Sequence, residues 1–385
     1  MRTAITAERL FDGNQVLPHP VILLEDGHIA SLSSRGAAPI PADAAQIDFP
    51  GATLAPSFYD VHFHGAAGHD LMDATPKDLD TICAFLASRG TGSFLATTVT
   101  APLDATLRAV EHLARRVQQP QASGLAHPVG IHLEGPFLSH KRRGVQPEEH
   151  LLAPDIPTFD RLFDAAQGTV RLMTLAPELP GAVELAAHAA SRGVRISMGH
   201  SDATAAETRA VLAAGASSAT HTFNAMRPLD HREPGILGVV LTTPALYAEL
   251  ICDGIHTAPE MVQLWWSAKG PERALLVTDG MSATGMPDGE YQLGGFAVQV
   301  ANGRATARGV LAGSVLTLDR ALSNFLQFTG ATVEQGLRLM TANPAAMTGL
   351  APLAGALAVG RPANLVAVDA AGKLVASFAA GRRVQ

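Results

Sequence analysis

The sequence predicts a parallel (β/α)8 barrel of the TIM type, carrying a small β-sandwich domain built from both chain termini. Three observations lead there. With 385 residues, 47% hydrophobic and 16% charged, the chain can bury a large core and suits one big α/β domain plus an appendage. Its middle alternates short apolar runs with Ala- and Leu-rich amphipathic stretches, the texture of repeated βα units. Imidazoles and carboxylates recur at the C-terminal ends of several of those runs, and a closed barrel rings its strand ends around one mouth. A doubly wound open sheet shares the alternation but does not gather so many strand ends at a single point.

Residues up to Gly51 read as short strands and turns: Thr3–Thr6, the Asp12-Gly13-Asn14 turn, Val21–Glu25, the Asp26-Gly27 turn and His28–Leu32. The far end has the same texture, with Asn364–Asp369, an Ala-Gly-Lys turn and Leu374–Phe378. Each end alone would leave a very short, poorly covered sheet. Together they are expected to form the small domain, residues 1–51 plus 350–385, around a barrel of residues 52–349. Barrel helices are expected at Lys77–Arg89, Leu103–Val117, Val183–Arg192, Thr204–Ala214 and Thr332–Met340. A β-hairpin excursion over Tyr291–Gly309, with Gly294-Gly295 and Asn302-Gly303 at its turns, reads as a candidate cover for a site near Asp279.

The chemistry begins at Phe58-Tyr-Asp-Val-His-Phe-His-Gly65. Alternate strand residues face the same side, so His62 and His64 point together and Phe63 points away. A bare His-x-His is a short pattern, equally met in a turn whose rings bond locally. Its successors weigh against that reading. Glu134 ends an apolar run before Gly-Pro, His200 follows Ile-Ser-Met-Gly, His221 follows Ser-Ala-Thr, and Asp279 closes Leu-Leu-Val-Thr. Four imidazoles and two carboxylates exceed what one tetrahedral ion with an open position requires. Two adjacent ions would use them all, with Glu134 as the natural bridge. A metal lowers the pKa of bound water from about 15.7 to roughly 7, which makes hydroxide available for hydrolysis of a carbonyl centre. Asp279 would take up the proton and pass it to the leaving group. No Gly-x-Ser-x-Gly elbow competes with this reading.

Composition excludes other classes. A net charge of −7 argues against a general nucleic-acid binder. Cys83 and Cys252 sit among apolar neighbours and form no C-x-x-C, so buried free thiols are expected rather than a disulfide. The N-terminal residues lack the apolar core of a signal peptide, and the apolar stretch from Gly235 to Cys252 is broken by Pro244 and Glu249. A cytoplasmic location without membrane attachment is the expectation.

The chain resembles the amidohydrolase superfamily, and within it the N-acetylglucosamine-6-phosphate deacetylases. The resemblance is carried by Tyr59-Asp-Val-His-Phe-His-Gly65, His132-Leu-Glu-Gly-Pro-Phe137, Gly199-His-Ser201, His221-Thr-Phe-Asn-Ala-Met226, Arg232-Glu-Pro-Gly235, Asp253-Gly-Ile-His256, Val277-Thr-Asp279 and Leu311-Ala-Gly-Ser314. It implies hydrolysis of the acetamide of an N-acetyl amino-sugar 6-phosphate. One or two divalent metals per subunit are implied, zinc foremost with iron, manganese or cobalt as alternatives. Glu134, His200 and His221 would hold one ion and His62 and His64 a second, with Asp279 adjacent. The phosphate would meet Asn224 and the Ala225 backbone. Arg232 and His256 resemble residues supplied by a neighbouring subunit, which implies a homodimer. The alternatives for these two are a surface ion pair of Arg232 with Glu233 or Asp230, and a turn-capping role for His256. Where many relatives have a substrate-contacting histidine this chain has Gln146, which can donate a hydrogen bond but cannot titrate. The run Lys141-Arg142-Arg143 either draws in an anionic substrate or is a solvated loop. The galactosamine counterpart, another N-acyl amidohydrolase and a non-catalytic scaffold of the same fold are the competing readings.

Overall fold

The computed structural model describes residues 2–37 and 39–385; Met1 and Ala38, both within the expected terminal domain, lie outside the described residues. Eight strands form one parallel sheet in consecutive order: β1 (Phe58–Phe63), β2 (Thr91–Thr98), β3 (His127–Glu134), β4 (Val170–Leu175), β5 (Arg195–Met198), β6 (Ala216–Ala219), β7 (Tyr247–Ile251) and β8 (Ala274–Val277). They are almost wholly buried, as expected when helices cover one face and the barrel interior occupies the other. The sheet closes between its first and last members. The Asp279 amide donates to the His62 carbonyl at 2.9 Å and the His64 amide to Gly280 at 2.8 Å. Buried Asp60 reinforces this seam by accepting the Thr278 hydroxyl at 2.6 Å and the His62 amide at 3.2 Å. Closure is therefore made by the same residues that carry three of the expected ligands.

Helices α1 (Pro76–Ser88), α2 (Leu103–Val117), α3 (Ile156–Ala165), α4 (Ala182–Ser191), α5 (Ala205–Ala213), α6 (Gly235–Thr242), α7 (Pro259–Arg273) and α8 (Leu318–Thr329) follow the strands in turn. The five helices expected from sequence fall within a residue or two of their observed bounds. Thr75 with Asp78 and Thr204 with Glu207 form capping boxes that start α1 and α5, each N-cap contributing about 1 kcal/mol. Inside the barrel, a buried ladder crosses from strand to strand: His132 Nε2 to Thr174 at 2.8 Å, Thr174 to Thr220 at 2.9 Å and Thr220 to Ser197 at 2.7 Å. These pairings satisfy polar groups that would otherwise be expensive to bury.

The two chain ends share a second sheet, as expected. Its order is Arg382–Arg383, Leu374–Ala379, Leu365–Val368, Ala45–Pro56, Arg2–Phe11, Pro20–Glu25 and His28–Ser34, with Val16–Pro18 beside Arg2–Phe11. It is one continuous sheet that curls until its His28–Ser34 edge meets the segment leading into Leu365–Val368, where His28 bridges Pro362 and the Ala363 amide donates to Gly27. The curl encloses Ile5, Leu10, Ile22, Leu54, Leu365 and Phe378. The strand Ala45–Pro56 runs through Gly51 and passes into β1 with only Ser57 between, so the small domain feeds directly into the barrel. Cys83 and Cys252 are buried free thiols, and burial pushes the Cys83 pKa up to about 11.

Phe94 in β2 is fully buried and meets Phe63 edge-on at 5.5 Å. Phe94→Ala is expected to destabilise the chain by about 3–5 kcal/mol, read as a lower urea midpoint with the slope unchanged.

Candidate metal centre

The six sequence-predicted ligands converge at the C-terminal mouth of the barrel. His62 is the penultimate residue of β1 and His64 follows the strand, Glu134 ends β3, and His200, His221 and Asp279 each lie two residues beyond β5, β6 and β8. Two clusters result, His62–His64–Asp279 and Glu134–His200–His221, each with donor atoms within 4.8 Å of one another. Glu134 Oε1 joins them, lying 3.1 Å from His62 Nε2 and 3.2 Å from both His200 Nε2 and His221 Nε2. His64 Nε2 lies 3.1 Å from Asp279 Oδ1 and 3.2 Å from His62 Nε2. Nitrogen and carboxylate donors gathered this closely, with His62, His200 and Glu134 each held on the outer side by protein, fit a pair of divalent metals.

The outer contacts orient the rings. His200 Nδ1 lies 3.1 Å from the Arg142 carbonyl and His62 Nδ1 lies 3.3 Å from Glu249 Oε2, which turns both Nε2 atoms toward Glu134. Sequence reading treated Glu249 only as a break in an apolar stretch. In the structure it is a fully buried carboxylate on β7, accepting also from the His221 amide at 3.3 Å. The available signal was a lone charge within Tyr-Ala-Glu-Leu-Ile, which a buried strand carries only when something pairs with it. His132, two residues before Glu134 and hence on the same strand face, packs edge-on against His62 at 4.7 Å; burial followed by the His62 charge drives its pKa far down, so it stays neutral.

Backbone geometry tightens the site. His200, His221, Ala225 and Asp279 all have positive φ, between 25° and 50°, which places ordinary side chains in a sparsely populated region. The glycine after Glu134 also has positive φ, and a Cβ there would collide with the Thr100 hydroxyl. Gly199 permits close approach of β5 to the end of β6, since its Cβ would lie 2.7 Å from that of Thr220.

A cavity of about 310 Å³ opens over the ligands, with Gln146, Asn224, Ala225 and His256 in its wall. Gln146 donates to Glu134 Oε2 at 2.8 Å and accepts the Thr100 amide at 2.9 Å, so its carboxamide braces the central carboxylate. His256 belongs to the wall of its own chain's cavity, held by Asp253 at 2.6 Å. Arg232 is exposed away from this wall, and among the described residues its guanidinium forms no ion pair, including with Asp230 or Glu233. Lys141 and Arg142 are committed to Asp202 at 2.5 and 2.8 Å, with Arg227 at 3.3 Å. Burial resists charge on Asp202, yet these three cations hold its pKa at about 2. The expected excursion is a four-stranded antiparallel sheet, Gly289–Leu293, Phe296–Ala301, Arg304–Ala307 and Val310–Leu311, and Leu293, Val310 and Leu311 line the cavity.

Burial works against charge on His62 and His64, but the Glu134 and Asp279 carboxylates outweigh it, raising His62 well above its ordinary pKa and His64 to about 9. The same pairing overcomes burial of the carboxylates and holds Glu134 and Asp279 below the usual range. Metal binding needs neutral imidazoles, so below about pH 9 it must displace protons. Metal loading at pH 7.5 is expected to release protons, and affinity should rise with pH toward 9; calorimetry in buffers of different ionisation enthalpy measures both. Glu249→Gln, which leaves the His62 ring without its carboxylate, is expected to weaken metal affinity about 10–100-fold, measured by chelator competition.

Residues 53–383 match the Amidohydrolase family. The chain is 38% identical over 370 residues to an N-acetylgalactosamine-6-phosphate deacetylase of Escherichia coli O157:H7, covering 96% of each. It is 36% identical over 372 residues to an N-acetylglucosamine-6-phosphate deacetylase of Bacillus subtilis (strain 168), covering 96% of this chain and 93% of the relative. Among solved structures, a mutant N-acetyl-D-glucosamine-6-phosphate deacetylase from Mycobacterium smegmatis in complex with N-acetyl-D-glucosamine-6-phosphate is similar with a TM-score of 0.92 and 35% identity, over 100% of this chain and 99% of that one.

Proposed function

The chain belongs to the amidohydrolase family, and from that membership we propose that it hydrolyses the acetamide of N-acetyl-D-glucosamine 6-phosphate to acetate and D-glucosamine 6-phosphate. The observation that carries this reading is the six-ligand cluster beneath a cavity whose wall also holds Asn224, Ala225 and His256. Glu134, His200 and His221 would hold one divalent metal, and His62, His64 and Asp279 would hold a second that shares Glu134. Zinc is the metal proposed, with iron, manganese or cobalt also matched to such donors. Bound there, the metal supplies Lewis-acid polarisation of the amide carbonyl and activation of water at neutral pH.

The chain's own residues account for proton handling and orientation. In the metal-free site the His62 and His64 charges outweigh burial and keep Asp279 ionised; a bound metal would supply the positive charge in their place, so that Asp279 could accept a proton from the attacking water and deliver it to the departing amine. Gln146 keeps Glu134 from rotating. The substrate phosphate would meet the Asn224 side chain, the Ala225 amide and His256. A second copy of the chain would add the exposed Arg232 guanidinium, whose planar donors suit a dianionic phosphate. That completion makes the working form a homodimer. The two buried free thiols support a cytoplasmic placement.

The likeness to a relative named as an N-acetylgalactosamine-6-phosphate deacetylase favours one second reading, the same hydrolysis on the galacto epimer. Acetate release from the gluco phosphate, the galacto phosphate and unphosphorylated N-acetylglucosamine separates the readings. The gluco phosphate is expected to be turned over fastest, with the unphosphorylated sugar slow; equal rates with and without phosphate would sink the phosphate assignment. Asp279→Asn is expected to lower kcat by about 10²–10⁴-fold, and metal analysis of the variant shows whether the Glu134 cluster stays loaded.

A further inference from the structure

A recess of about 560 Å³, larger than the cavity over the metal ligands, lies at the opposite end of the barrel. Ser57, Ser93, His127 and Arg171 line it from the N-terminal ends of β1 to β4, and Arg361 closes it from the segment leading into the terminal sheet. His127 and Glu134 are the two ends of β3, so roughly 23 Å of strand separates the two sites.

We propose that this recess is a binding site for a small phosphate-bearing anion, gripped by Arg171 and Arg361 at the junction of barrel and terminal domain. Its wall contains two guanidiniums and an imidazole but no carboxylate. Neither arginine forms an ion pair among the described residues. Arg171 Nη1 donates only to the Gly168 carbonyl at 3.2 Å, and Arg361 Nη1 only to the Ala356 carbonyl at 3.3 Å. Arg171 Nε and His127 Nδ1 are both buried without a partner. The orphaned Nε of a buried guanidinium is unfavourable, and an anion in the recess relieves it. The planar donor forks of two arginines match phosphate oxygens better than the single charge of a halide. Among the described residues, the hydroxyls of Ser57 and Ser93 and the side-chain carboxamides of Gln118 and Gln167 also have no protein partner, which suits the hydroxyls of a phosphorylated sugar. An occupant would touch β2, β3, β4 and residues 352–364 together, and so would tie the terminal domain to the barrel floor.

The test titrates metal-loaded protein by calorimetry with inorganic phosphate and, separately, with glucose 6-phosphate. The Asn224→Ala/Arg232→Ala variant serves as background, so that two of the phosphate contacts proposed over the metals are removed. Binding of either probe is expected in that background, and adding Arg171→Met with Arg361→Met should weaken it by about tenfold or more, since each substitution removes charge-assisted bonds. Methionine keeps the apolar stem of the side chain, and Arg171→Met/Arg361→Met alone should retain the deacetylation rate within about twofold, a check on folding. Which probe binds identifies the source, free phosphate or sugar phosphate. Failure of both probes to bind the background variant, or binding indifferent to the two arginine substitutions, overturns the proposal. A wild-type crystal soaked in inorganic phosphate gives a reading independent of the variants: density beside Arg171 supports the site, and a recess holding water alone overturns it.

Discussion

Glu134 Oε1 is approached by three imidazole nitrogens at hydrogen-bonding distance, from three different strands. That one oxygen can be reached by His62, His200 and His221 only if β1, β3, β5 and β6 curve around a common axis. Closure of the sheet and assembly of the site are thus a single event. The seam between β1 and β8 makes this concrete, because the Asp279 amide donates to the His62 carbonyl while the two side chains face each other across the mouth. Opening the seam would break the ladder and separate the carboxylate from its imidazoles together.

Such a site is electrostatically demanding. Two carboxylates and four imidazoles, nearly all fully buried, lose hydration that only mutual pairing restores. The structure answers with layers of support. Glu249, the Arg142 carbonyl and Gln146 hold the ligands from outside, and the His132–Thr174–Thr220–Ser197 ladder satisfies the polar interior beneath. Positive φ at His200, His221 and Asp279 belongs to the same arrangement. These residues turn sharply off their strands so that the side chains project over the barrel axis, and the surrounding packing bears the strain.

The terminal domain has a different logic. Its sheet draws strands from both chain ends and passes into β1 through Ser57 alone, so the first barrel strand starts from a fixed position. The second recess sits at this junction, where Arg171 on β4 and Arg361 in the returning segment face a common space. Ionisable groups are accordingly placed at both ends of the barrel axis, carboxylates with imidazoles at one and guanidiniums at the other.

Much of this was legible in the chain. Period-two placement of His62 and His64, and the repetition of imidazole or carboxylate after short apolar runs, picked out the six side chains that converge at the mouth, because strand ends in a parallel barrel leave a local signature. The amphipathic stretches marked five helices for the same reason, since a 3.6-residue period needs no distant partner to be seen. The excursion after Asp279 was visible from its glycine turns. What the chain could not disclose was pairing between residues far apart in sequence. Glu249 lies 187 residues from His62 and read as an interruption. Gln146 read as a substrate contact, yet it braces Glu134. The lysine and arginine at 141 and 142 read as free charge, yet they are bound to Asp202. Whether His256 and Arg232 served a neighbouring subunit, a turn or a surface ion pair was likewise open. Local periodicity determined the elements and the ligand set; only closure of the barrel decided who holds whom, because contacts across strands depend on curvature and register that no short window of sequence contains.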